Sequence, residues 1–443
     1  MEDKELLETI KKEKVKLIEM QFSDLDGAIK SVTLPEHRIE EALEKGVWFD
    51  GSSIQGFTRI FESDMYLKPD NNTFRIIPWK STNSHKQARI ICDVYMPDGK
   101  PFEGDPRYIL KRAVEKAKEE GYTYYVGPEA EFFLFQPQEG KVIPAPHDVG
   151  GYFDSAPRDL ASDVRRDIIF SLTDLGLEVE ASHHEVAFGQ HEIDFKYDEA
   201  ITTGDNVITF KYACKAIAQA HGLYASFMPK PIFGVNGSGM HIHQSLFKDG
   251  KNAFFDDKGK YKLSEIARHY VAGQLKHAKA LAAILNPTVN SYKRLVPGYE
   301  APVYISWGQT NRSALIRIPR YSKGRENATR AELRCPDPSC NPYLAFAVML
   351  SAGLDGIKSK LEPPEPVEES LYDMKDVALL NKGIETLPET LYDAIKELEK
   401  DKLIRDALGE HTFKQYTEAK KTEWNEYRTQ VTKWEIDRYL EII

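Results

Sequence analysis

Two glutamates stand in a segment that is otherwise typical of a buried strand. The segment Gly127-Pro-Glu-Ala-Glu131-Phe-Phe carries them at positions 129 and 131. Side chains two residues apart on a strand share a face, so Glu129 and Glu131 are expected to point the same way. Burying two carboxylates beside aromatic rings costs free energy unless they are paired or bind a cation. Taken alone, the pair favours an edge strand with one solvated face.

A second acidic group follows in His183-His-Glu185-Val-Ala-Phe-Gly-Gln-His-Glu192. A loop centred on Phe188 and Gly189 would place Glu185 opposite Glu192. Directly opposed like charges weaken a hairpin, but a divalent cation between them reverses the sign, because magnesium and manganese prefer carboxylate oxygens. The segment leaves two interpretations open, a solvated hairpin and a metal site.

Histidines occupy a third strand, within Asn236-Gly-Ser-Gly-Met-His241-Ile-His243-Gln-Ser245. Alternation puts His241, His243 and Ser245 on one face. A single histidine is more often a satisfied core residue than a ligand. Near two acidic pairs, metal ligation becomes the better interpretation.

A fourth strand, Arg330-Ala-Glu332-Leu-Arg334, carries charges of alternating sign on one face, and buried charges need partners or ligands. Further basic residues stand nearby in the chain: Lys293, Arg294, Arg312 and Arg317. Guanidinium groups pair with carboxylates and phosphates through two hydrogen bonds. Acids for a metal and arginines for anions are what a metal-nucleotide phosphoryl-transfer site requires.

The composition is that of a globular protein. The 443 residues include 59 Lys and Arg against 69 Asp and Glu, a formal charge of −10, which argues against nucleic acid as the partner. No run approaches the ~20 apolar residues of a membrane span, and the N-terminal segment 1–14 lacks an apolar signal core, so we expect a cytoplasmic protein without membrane contact. The four cysteines are expected to be unpaired and reduced.

The elements that must position these residues fall into two groups. The N-terminal group is predicted as helix 3–13, a hairpin of strands 15–22 and 28–34, a helix from Pro35 to Gly46, and strands 74–79 and 88–95. After the 97–106 loop, strands are predicted at 122–135, 178–195, 238–247, 313–318 and 330–334, and helices at 107–120, 162–175, 204–221, 263–285 and 342–357. An acidic, proline-rich linker, 362–369, then leads to a charged helical tail.

Several of these segments, taken in order, resemble type I glutamine synthetase. The matching motifs are Phe49-Asp-Gly-Ser-Ser-Ile54, Gly127-Pro-Glu-Ala-Glu131, His183-His-Glu185, Asn236-Gly-Ser-Gly-Met-His241, Lys293-Arg-Leu-Val-Pro-Gly-Tyr-Glu-Ala-Pro302, Asn311-Arg-Ser313 and Glu332-Leu-Arg-Cys-Pro-Asp-Pro338. The resemblance implies an α+β fold, with a small β-grasp domain at 1–103 and a large catalytic domain at 104–443 that ends in a helical tail.

The implied reaction is ATP-dependent ligation of ammonia to the γ-carboxylate of L-glutamate through γ-glutamyl phosphate, giving L-glutamine, ADP and phosphate. The resemblance implies at least two Mg²⁺ or Mn²⁺ ions per site. One would be held by Glu131, Glu185 and Glu192, and the other by Glu129, His241 and Glu332.

The same resemblance implies the substrate contacts. Glutamate would be bound by Asn236, Gly237, Arg294, Glu300, Arg312 and Arg334. ATP would be contacted by Glu180, Tyr197, His243, Ser245, Arg312 and Arg317. Glu300 would lie on a flap that excludes water and accepts a proton, and Arg312 would stabilise the phosphoryl group during transfer.

Ammonium activation is assigned to Asp50, because a carboxylate attracts the cation and can take its proton. In this family the loop with Asp50 and Ser53 reaches the site of a neighbouring subunit. The resemblance therefore implies a homo-oligomer with shared active sites, a dodecamer of two hexameric rings. Without the family, Asp-Gly-Ser-Ser would be interpreted as an ordinary turn.

The sequence departs from the family pattern in two places. The stretch 320–329 is longer than expected, which leaves its nucleotide contacts open. Ser370-Leu-Tyr372-Asp373 resembles the segment that is adenylylated in one branch, but the following prolines and that branch's insertion are missing. The shorter alpha-type branch is favoured, which is regulated by feedback and partner proteins, with Arg59 as its feedback-control arginine.

Two alternatives remain at this stage, a γ-glutamyl ligase acting on amines or polyamines and a homologue without catalysis. Retention of the whole loop from Asp50 to Ser53 favours ammonium, because a larger amine needs that pocket opened. A non-catalytic homologue predicts missing metal ligands, and none is missing from the motifs.

Overall fold

The structure is a computed structural model that describes residues 1–54, 56, 64–297, 301–372, 374, 379 and 383–443. Three residues named above lie outside the described residues: Arg59, Glu300 and Asp373. The side chain of Ser53 lies outside them as well.

The chain folds into alternating helices and strands. The helices are α1 Asp3–Lys12, α2 Ile39–Lys45, α3 Pro106–Glu119, α4 Ser162–Asp174, α5 Ala200–Ala220, α6 Glu265–Lys276, α7 Ala278–Leu285, α8 Ser291–Arg294, α9 Pro342–Ser359, α10 Leu391–Lys400, α11 Lys402–Leu408, α12 Glu410–Arg428 and α13 Lys433–Tyr439. The strands are β1 Val15–Ser23, β2 Ile29–Pro35, β3 Val47–Asp50, β4 Asp64–Pro69, β5 Arg75–Ile76, β6 Lys86–Tyr95, β7 Thr123–Phe135, β8 Val179–His184, β9 Gln190–Phe195, β10 Asp198–Glu199, β11 Tyr224–Ser226, β12 Met240–Lys248, β13 Lys251–Asn252, β14 Tyr304–Gly308, β15 Ala314–Arg317 and β16 Ala331–Leu333.

The N-terminal elements form a small sheet with helices packed on it. Its strand order is β2-β1-β6-β4-β3, with β5 also paired to β6, and β1 runs parallel to β6. The turn before β2 is the predicted hairpin turn, because Gly27 has a φ of +79° that favours glycine. Leu6 and Ile10 of α1 pack with Ile18 and Ile90 of the sheet in one apolar core. The predicted first helix and hairpin are confirmed.

The larger sheet positions the candidate site. Its strand order is β14-β15-β16-β12-β7-β9-β8, and β7 is its longest strand. Helix α9 packs against α3 and α6, and its residues from Pro342 to Leu350 are all buried. Val126 and Ala130 of β7 belong to the same buried apolar cluster as Leu344 of α9, so this helix layer supports the sheet. The predicted α+β class is confirmed.

Two predicted elements differ in extent. The single helix predicted at 263–285 is two helices, because α6 ends at Lys276 and α7 begins at Ala278. Between them His277 lies against two carboxylates, with Nδ1 at 2.5 Å from Asp401 and Nε2 at 3.1 Å from Asp355. The predicted strand 74–79 reduces to β5, because Pro78 starts a short 3₁₀ turn.

One buried arginine joins the small sheet to the larger unit. Arg107, at the start of α3, donates to Asp93 at 2.7 Å, Asp70 at 2.8 Å and Asp205 of α5 at 2.9 Å. Although burial alone lowers the pKa of this guanidinium, the carboxylates raise it well above its usual value, so the group stays charged. The cysteines are buried and unpaired, as predicted. Across the described ranges, no helix combines the length and apolarity needed to cross a membrane.

Candidate active site

Neighbouring strands bring the predicted ligands together in rows across the larger sheet. Residues directly opposite on paired strands lie close enough for their side chains to interact. In one row Glu131 of β7 is opposite Glu192 of β9, which is opposite His183 of β8. In the next row His241 of β12 is opposite Glu129. The segments that the sequence singled out therefore share one surface.

The predicted pairing of the β8–β9 hairpin is wrong by two residues. Glu192 is opposite His183, whereas the backbone N–H of Glu185 donates to Gln190 at 2.8 Å. The loop is shorter than expected because Gln190 also closes a tight turn on the carbonyl of Ala187 at 3.0 Å. A shift of two residues preserves the face, since strands alternate with a period of two. Glu185 therefore still lies beside Glu192, as a diagonal neighbour.

Three buried carboxyl groups meet at this point. Burial and the charge of Glu185 raise the pKa of Glu131 to about 7, and burial and Glu192 raise the pKa of Glu185 to about 8. Burial and Glu131 raise the pKa of Glu192 to about 9. The cluster therefore holds protons at neutral pH unless a cation compensates the charge.

His183 belongs to this cluster, although the sequence analysis did not assign it a role. Its Nε2 lies 3.2 Å from Glu192, and its Nδ1 lies 3.6 Å from Glu185. The signal was present in the sequence, because His183 and Glu185 are two residues apart and share a face.

The second predicted set, Glu129, His241 and Glu332, is also assembled. The Nδ1 of His241 lies 3.6 Å from Glu129 and 3.8 Å from Glu332. Burial alone would raise the pKa of Glu129, but hydrogen bonds with His241 and His243 hold it well below its usual value. The second set is therefore anionic at neutral pH without any cation.

The tautomer of His243 follows from its two partners. Arg330 donates from Nε to His243 Nδ1 at 3.0 Å, and arginine can only donate. The proton of a neutral His243 ring must then be on Nε2, which lies 2.7 Å from a carboxylate oxygen of Glu129. Arg330 thereby fixes the ring that borders the second set.

Both sets fit divalent cations by the chemistry of their donors. Oxygen ligands with a single imidazole suit magnesium or manganese, whereas several thiolates or imidazoles would suit zinc. The raised pKa values of Glu131, Glu185 and Glu192 fit as well, because three buried carboxyl groups repel one another until a cation joins them.

We expect the metal-free protein to lose stability as the pH rises from the ordinary glutamate pKa of 4.5 towards 9, the raised pKa of Glu192. A carboxyl group whose pKa is higher in the folded chain binds more protons there, so its ionisation destabilises the fold. Magnesium should reduce this dependence of stability on pH, because the cation binds the ionised carboxylates. Thermal unfolding midpoints measured across this range with chelator and with magnesium test this, and equal slopes would contradict it.

Two buried arginines border the first set. Arg294 donates to the carbonyl of Cys335 at 2.8 Å and to that of Arg334 at 3.4 Å. Gly239 allows this approach, because a Cβ there would lie 2.6 Å from Nη2 of Arg294. Arg334 donates from Nε to Glu332 at 3.1 Å, while its buried Nη1 has no hydrogen-bond partner in the described part of the chain. An unsatisfied guanidinium N–H at this place is suited to a ligand carboxylate.

Four of the six predicted glutamate contacts line one small cavity at Arg294 and Arg334. This cavity is lined by Asn236, Gly237, Arg294 and Arg334 together with metal-set residues Glu131, Glu185 and His241. Arg312 does not line it.

A larger cavity of about 350 Å³ opens beside the second set. Four of the predicted ATP contacts line it: Glu180, Tyr197, His243 and Ser245. Arg330 also lines it; the sequence placed this residue among the arginines for anions but left its nucleotide contact open. Asp194 lines it as well, and no role was predicted for it. Arg317, another predicted ATP contact, is not among the described residues that line the cavity and donates to Glu332 at 2.9 Å. The volume is in the range of small-molecule sites.

Two assigned residues stand apart from the cavities. Asp50 ends β3 in the small sheet, and its carboxylate accepts a hydrogen bond from the backbone N–H of Ser52 at 2.8 Å. Arg312 is exposed on the loop before β15. Within one chain, neither is among the described residues that line the two cavities.

The sequence and the fold are similar to those of known proteins. The family described as "Glutamine synthetase, catalytic domain" matches residues 103–439, and "Glutamine synthetase, beta-Grasp domain" matches residues 14–97. Relatives named glutamine synthetase from Methanosarcina mazei and Thermotoga maritima are each 56% identical, over 99% and 98% of this chain and 98% and 99% of their own lengths. A solved structure described as a GmaS/ADP complex is 33% identical, with a TM-score of 0.88 over 98% of this chain and 99% of its own.

Proposed function

Since the chain belongs to the glutamine synthetase family, we propose that it joins ammonia to the γ-carboxylate of L-glutamate at the expense of ATP, giving L-glutamine, ADP and phosphate. The observation that carries this proposal is the row of Glu131, Glu192 and His183. Its Glu131 lines the same cavity as Arg334, whose Nη1 has no hydrogen-bond partner among the described residues. The row supplies side-chain atoms that can coordinate a cation, and Arg334 supplies an N–H that can donate a hydrogen bond to a carboxylate. The sequence identity of 56% to relatives named glutamine synthetase favours this reaction over an amine ligase of the same fold.

Each of the two ligand sets is assigned to a cation beside one of the two substrates, glutamate and ATP. We assign Glu131, Glu185 and Glu192 to a cation beside glutamate, and Glu129, His241 and Glu332 to a cation beside the ATP phosphates. A divalent cation at these places would neutralise phosphate and carboxylate charge as the phosphoryl group moves. Magnesium and manganese both suit the oxygen-rich donors. The neighbouring Arg334 holds Glu332 in place through its Nε–H.

The arginines orient glutamate and stabilise the transfer. Arg294, held by two carbonyls, would receive the α-carboxylate, with Asn236 and Gly237 beside it. The free Nη1–H of Arg334 would donate to the γ-carboxylate as it attacks the terminal phosphate of ATP. Arg312 would then donate to the phosphoryl oxygens.

The nucleotide is assigned to the cavity of about 350 Å³. Glu180, Tyr197, His243 and Ser245 line it, and we also assign Arg317, which donates to Glu332, to the nucleotide. Arg330 keeps the His243 ring fixed at the boundary between this cavity and the second set.

Ammonia must then displace phosphate from the acyl phosphate. We assign deprotonation of ammonium to Asp50 with Ser53, and exclusion of water to Glu300 on its flap. Asp50 lies in the small sheet and is not among the described residues that line the cavities of its own chain, so we assign its supply to a neighbouring subunit. We therefore propose a homo-oligomer with active sites between subunits, a dodecamer of two hexameric rings.

Several finer assignments complete the proposal. The shorter alpha-type branch fits a chain of 443 residues, and Arg59 would serve its feedback control, with regulatory proteins as further partners. We place the domain boundary between residues 103 and 104 and the protein in the cytoplasm, without nucleic acid or membrane contact.

The amine substrate tests the proposal. Purified protein is expected to release phosphate from ATP and glutamate with magnesium when ammonium is present, and much less with ethylamine or without amine. Equal rates with ethylamine would indicate an amine ligase, and no turnover with any amine would indicate a non-catalytic homologue. Either result would contradict the proposal.

A further inference from the structure

The segment 364–371, which we call the strap, overlaps the predicted linker 362–369. It is hydrogen-bonded to the loop that carries Arg312. The indole N–H of Trp307 donates to the carbonyl of Pro364 at 2.6 Å, and the backbone N–H of Val367 donates to the carbonyl of Trp307 at 2.8 Å. The strap therefore runs along the end of β14, where the loop begins.

Glu368 is the centre of this attachment. Its Oε1 accepts hydrogen bonds from the backbone N–H of Gln309 at 2.9 Å and from the hydroxyl of Tyr261 at 2.7 Å. Its Oε2 accepts from the backbone N–H of Thr310 at 2.7 Å and from the Thr310 hydroxyl. Burial alone would raise the pKa of Glu368, but these donors lower it to about 2. The carboxylate is thus ionised and has four donors on its two oxygens.

The strap also holds the residues on both sides of Arg312. Asn311 donates from Nδ2 to the carbonyl of Val367 at 3.0 Å, and Ser313 accepts at its hydroxyl oxygen from the backbone N–H of Leu371 at 2.9 Å. Asn311 and Ser313 are also joined to each other, because Asn311 Oδ1 accepts from the backbone N–H of Ser313 at 2.8 Å. Both neighbours are buried, whereas the Arg312 side chain is exposed.

We propose that Glu368 is a positioning residue that acts through Arg312. The inference rests on the proposed function, in which Arg312 donates to the transferring phosphoryl group. An exposed arginine has many conformations, so its reach depends on where its backbone is fixed. Three of the four hydrogen bonds to this carboxylate come from Gln309 and Thr310, the two residues just before the Asn311-Arg312-Ser313 turn, and the fourth joins it to Tyr261. A misplacement of about 1 Å in such a group can lower the rate about a hundredfold.

The test compares Glu368→Ala and Glu368→Gln with the wild type in steady-state kinetics. Glu368→Ala is expected to lower kcat by about tenfold to a hundredfold, with KM for glutamate and ATP changed by less than about twofold, because Arg312 acts on the transition state. Glu368→Gln keeps one accepting oxygen and should fall between. Glu365→Ala is the matched control: Glu365 lies on the same strap, is 93% exposed and pairs only with Lys260 among the ion pairs of the described residues. It should leave kcat unchanged.

A double-mutant cycle separates positioning from general loosening of the fold. In an Arg312→Ala background, Glu368→Ala should lower the residual rate by less than about twofold, because the group it positions is gone. An equal loss in both backgrounds, or an unchanged kcat in the single variants, would overturn the proposal. If Glu368→Ala does not fold, the same cycle with Glu368→Gln decides. An inactive wild type would instead refute the proposed function, whereas an active wild type with fully active Glu368 variants refutes only the positioning role.

Discussion

Replacing Glu185 by glutamine is expected to lower ammonium-dependent glutamine formation by about a hundredfold to a thousandfold, the range found when one electrostatic element of an active site is removed. The side chain lies close to Glu131 and Glu192, where we place the cation beside glutamate. Glutamine keeps the shape and can still accept the hydrogen bond from the backbone N–H of Val186. It removes one negative charge from the set.

The same substitution should not destabilise the metal-free protein. Glu185 is buried beside two other carboxyl groups, and its raised pKa of about 8 shows that its ionised form is disfavoured there. The unfolding midpoint in chelator should therefore stay or rise, while the gain in midpoint from magnesium shrinks. Glu178→Gln is the control, because Glu178 directly precedes β8 and Glu185 directly follows it. The Glu178 side chain is 69% exposed and pairs with Lys196 on the surface. Loss of activity together with a lower midpoint would indicate a structural role instead.

Replacing Asp50 by alanine is expected to abolish glutamine formation from ammonium, and mixing with a second inactive variant should restore part of it. Asp50 lies in the small sheet, whereas Glu185 lies in the larger one. If a site combines Asp50 of one subunit with the metal sets of another, Asp50→Ala subunits still supply the sets and Glu185→Gln subunits still supply Asp50. Random assembly of equal amounts in closed rings would rebuild about a quarter of the sites.

Activity is measured after the two variants are unfolded and refolded together, and after each is refolded alone. The mixture should regain about a quarter of the wild-type rate, and each variant alone should stay inactive. A mixture as inactive as its components would contradict the shared site. An Asp50→Ala protein with normal ammonium use would contradict the role of Asp50 itself.

Faces of strands could be predicted from the sequence because they depend only on local spacing. Glu129 and Glu131, two residues apart, were expected on one face; Glu129 lies with His241 and Glu332, and Glu131 lies beside Glu185. His241 was placed on the same strand face as His243 for the same reason, and both lie against Glu129. Alternation survives an error in pairing, which is why the register error at Glu185 did not remove it from its cluster.

Contacts between distant segments could not be predicted in this way. The turn that sets the hairpin register depends on Gln190. Its backbone N–H donates to the carbonyl of Ala187, and its side-chain oxygen accepts from the backbone N–H of Ala187. Its side-chain amide also donates to Glu131. Glu368 is 58 residues from Thr310, and an acidic, proline-rich stretch has no local pattern that distinguishes a strap from a linker. Strand β3 was not predicted either, because its four residues are too few to show a clear alternation of apolar and polar side chains.

In the proposed reaction, the γ-carboxylate of glutamate takes up the terminal phosphoryl group of ATP before ammonia displaces phosphate. Glutamate labelled with ¹⁸O in the γ-carboxylate tests this directly. One labelled oxygen should leave with the phosphate for each glutamine formed, because the C–O bond to the phosphoryl oxygen breaks when nitrogen attacks the carbonyl carbon. We expect phosphate with one ¹⁸O and glutamine that keeps the other. Glutamine formed with unlabelled phosphate would contradict it.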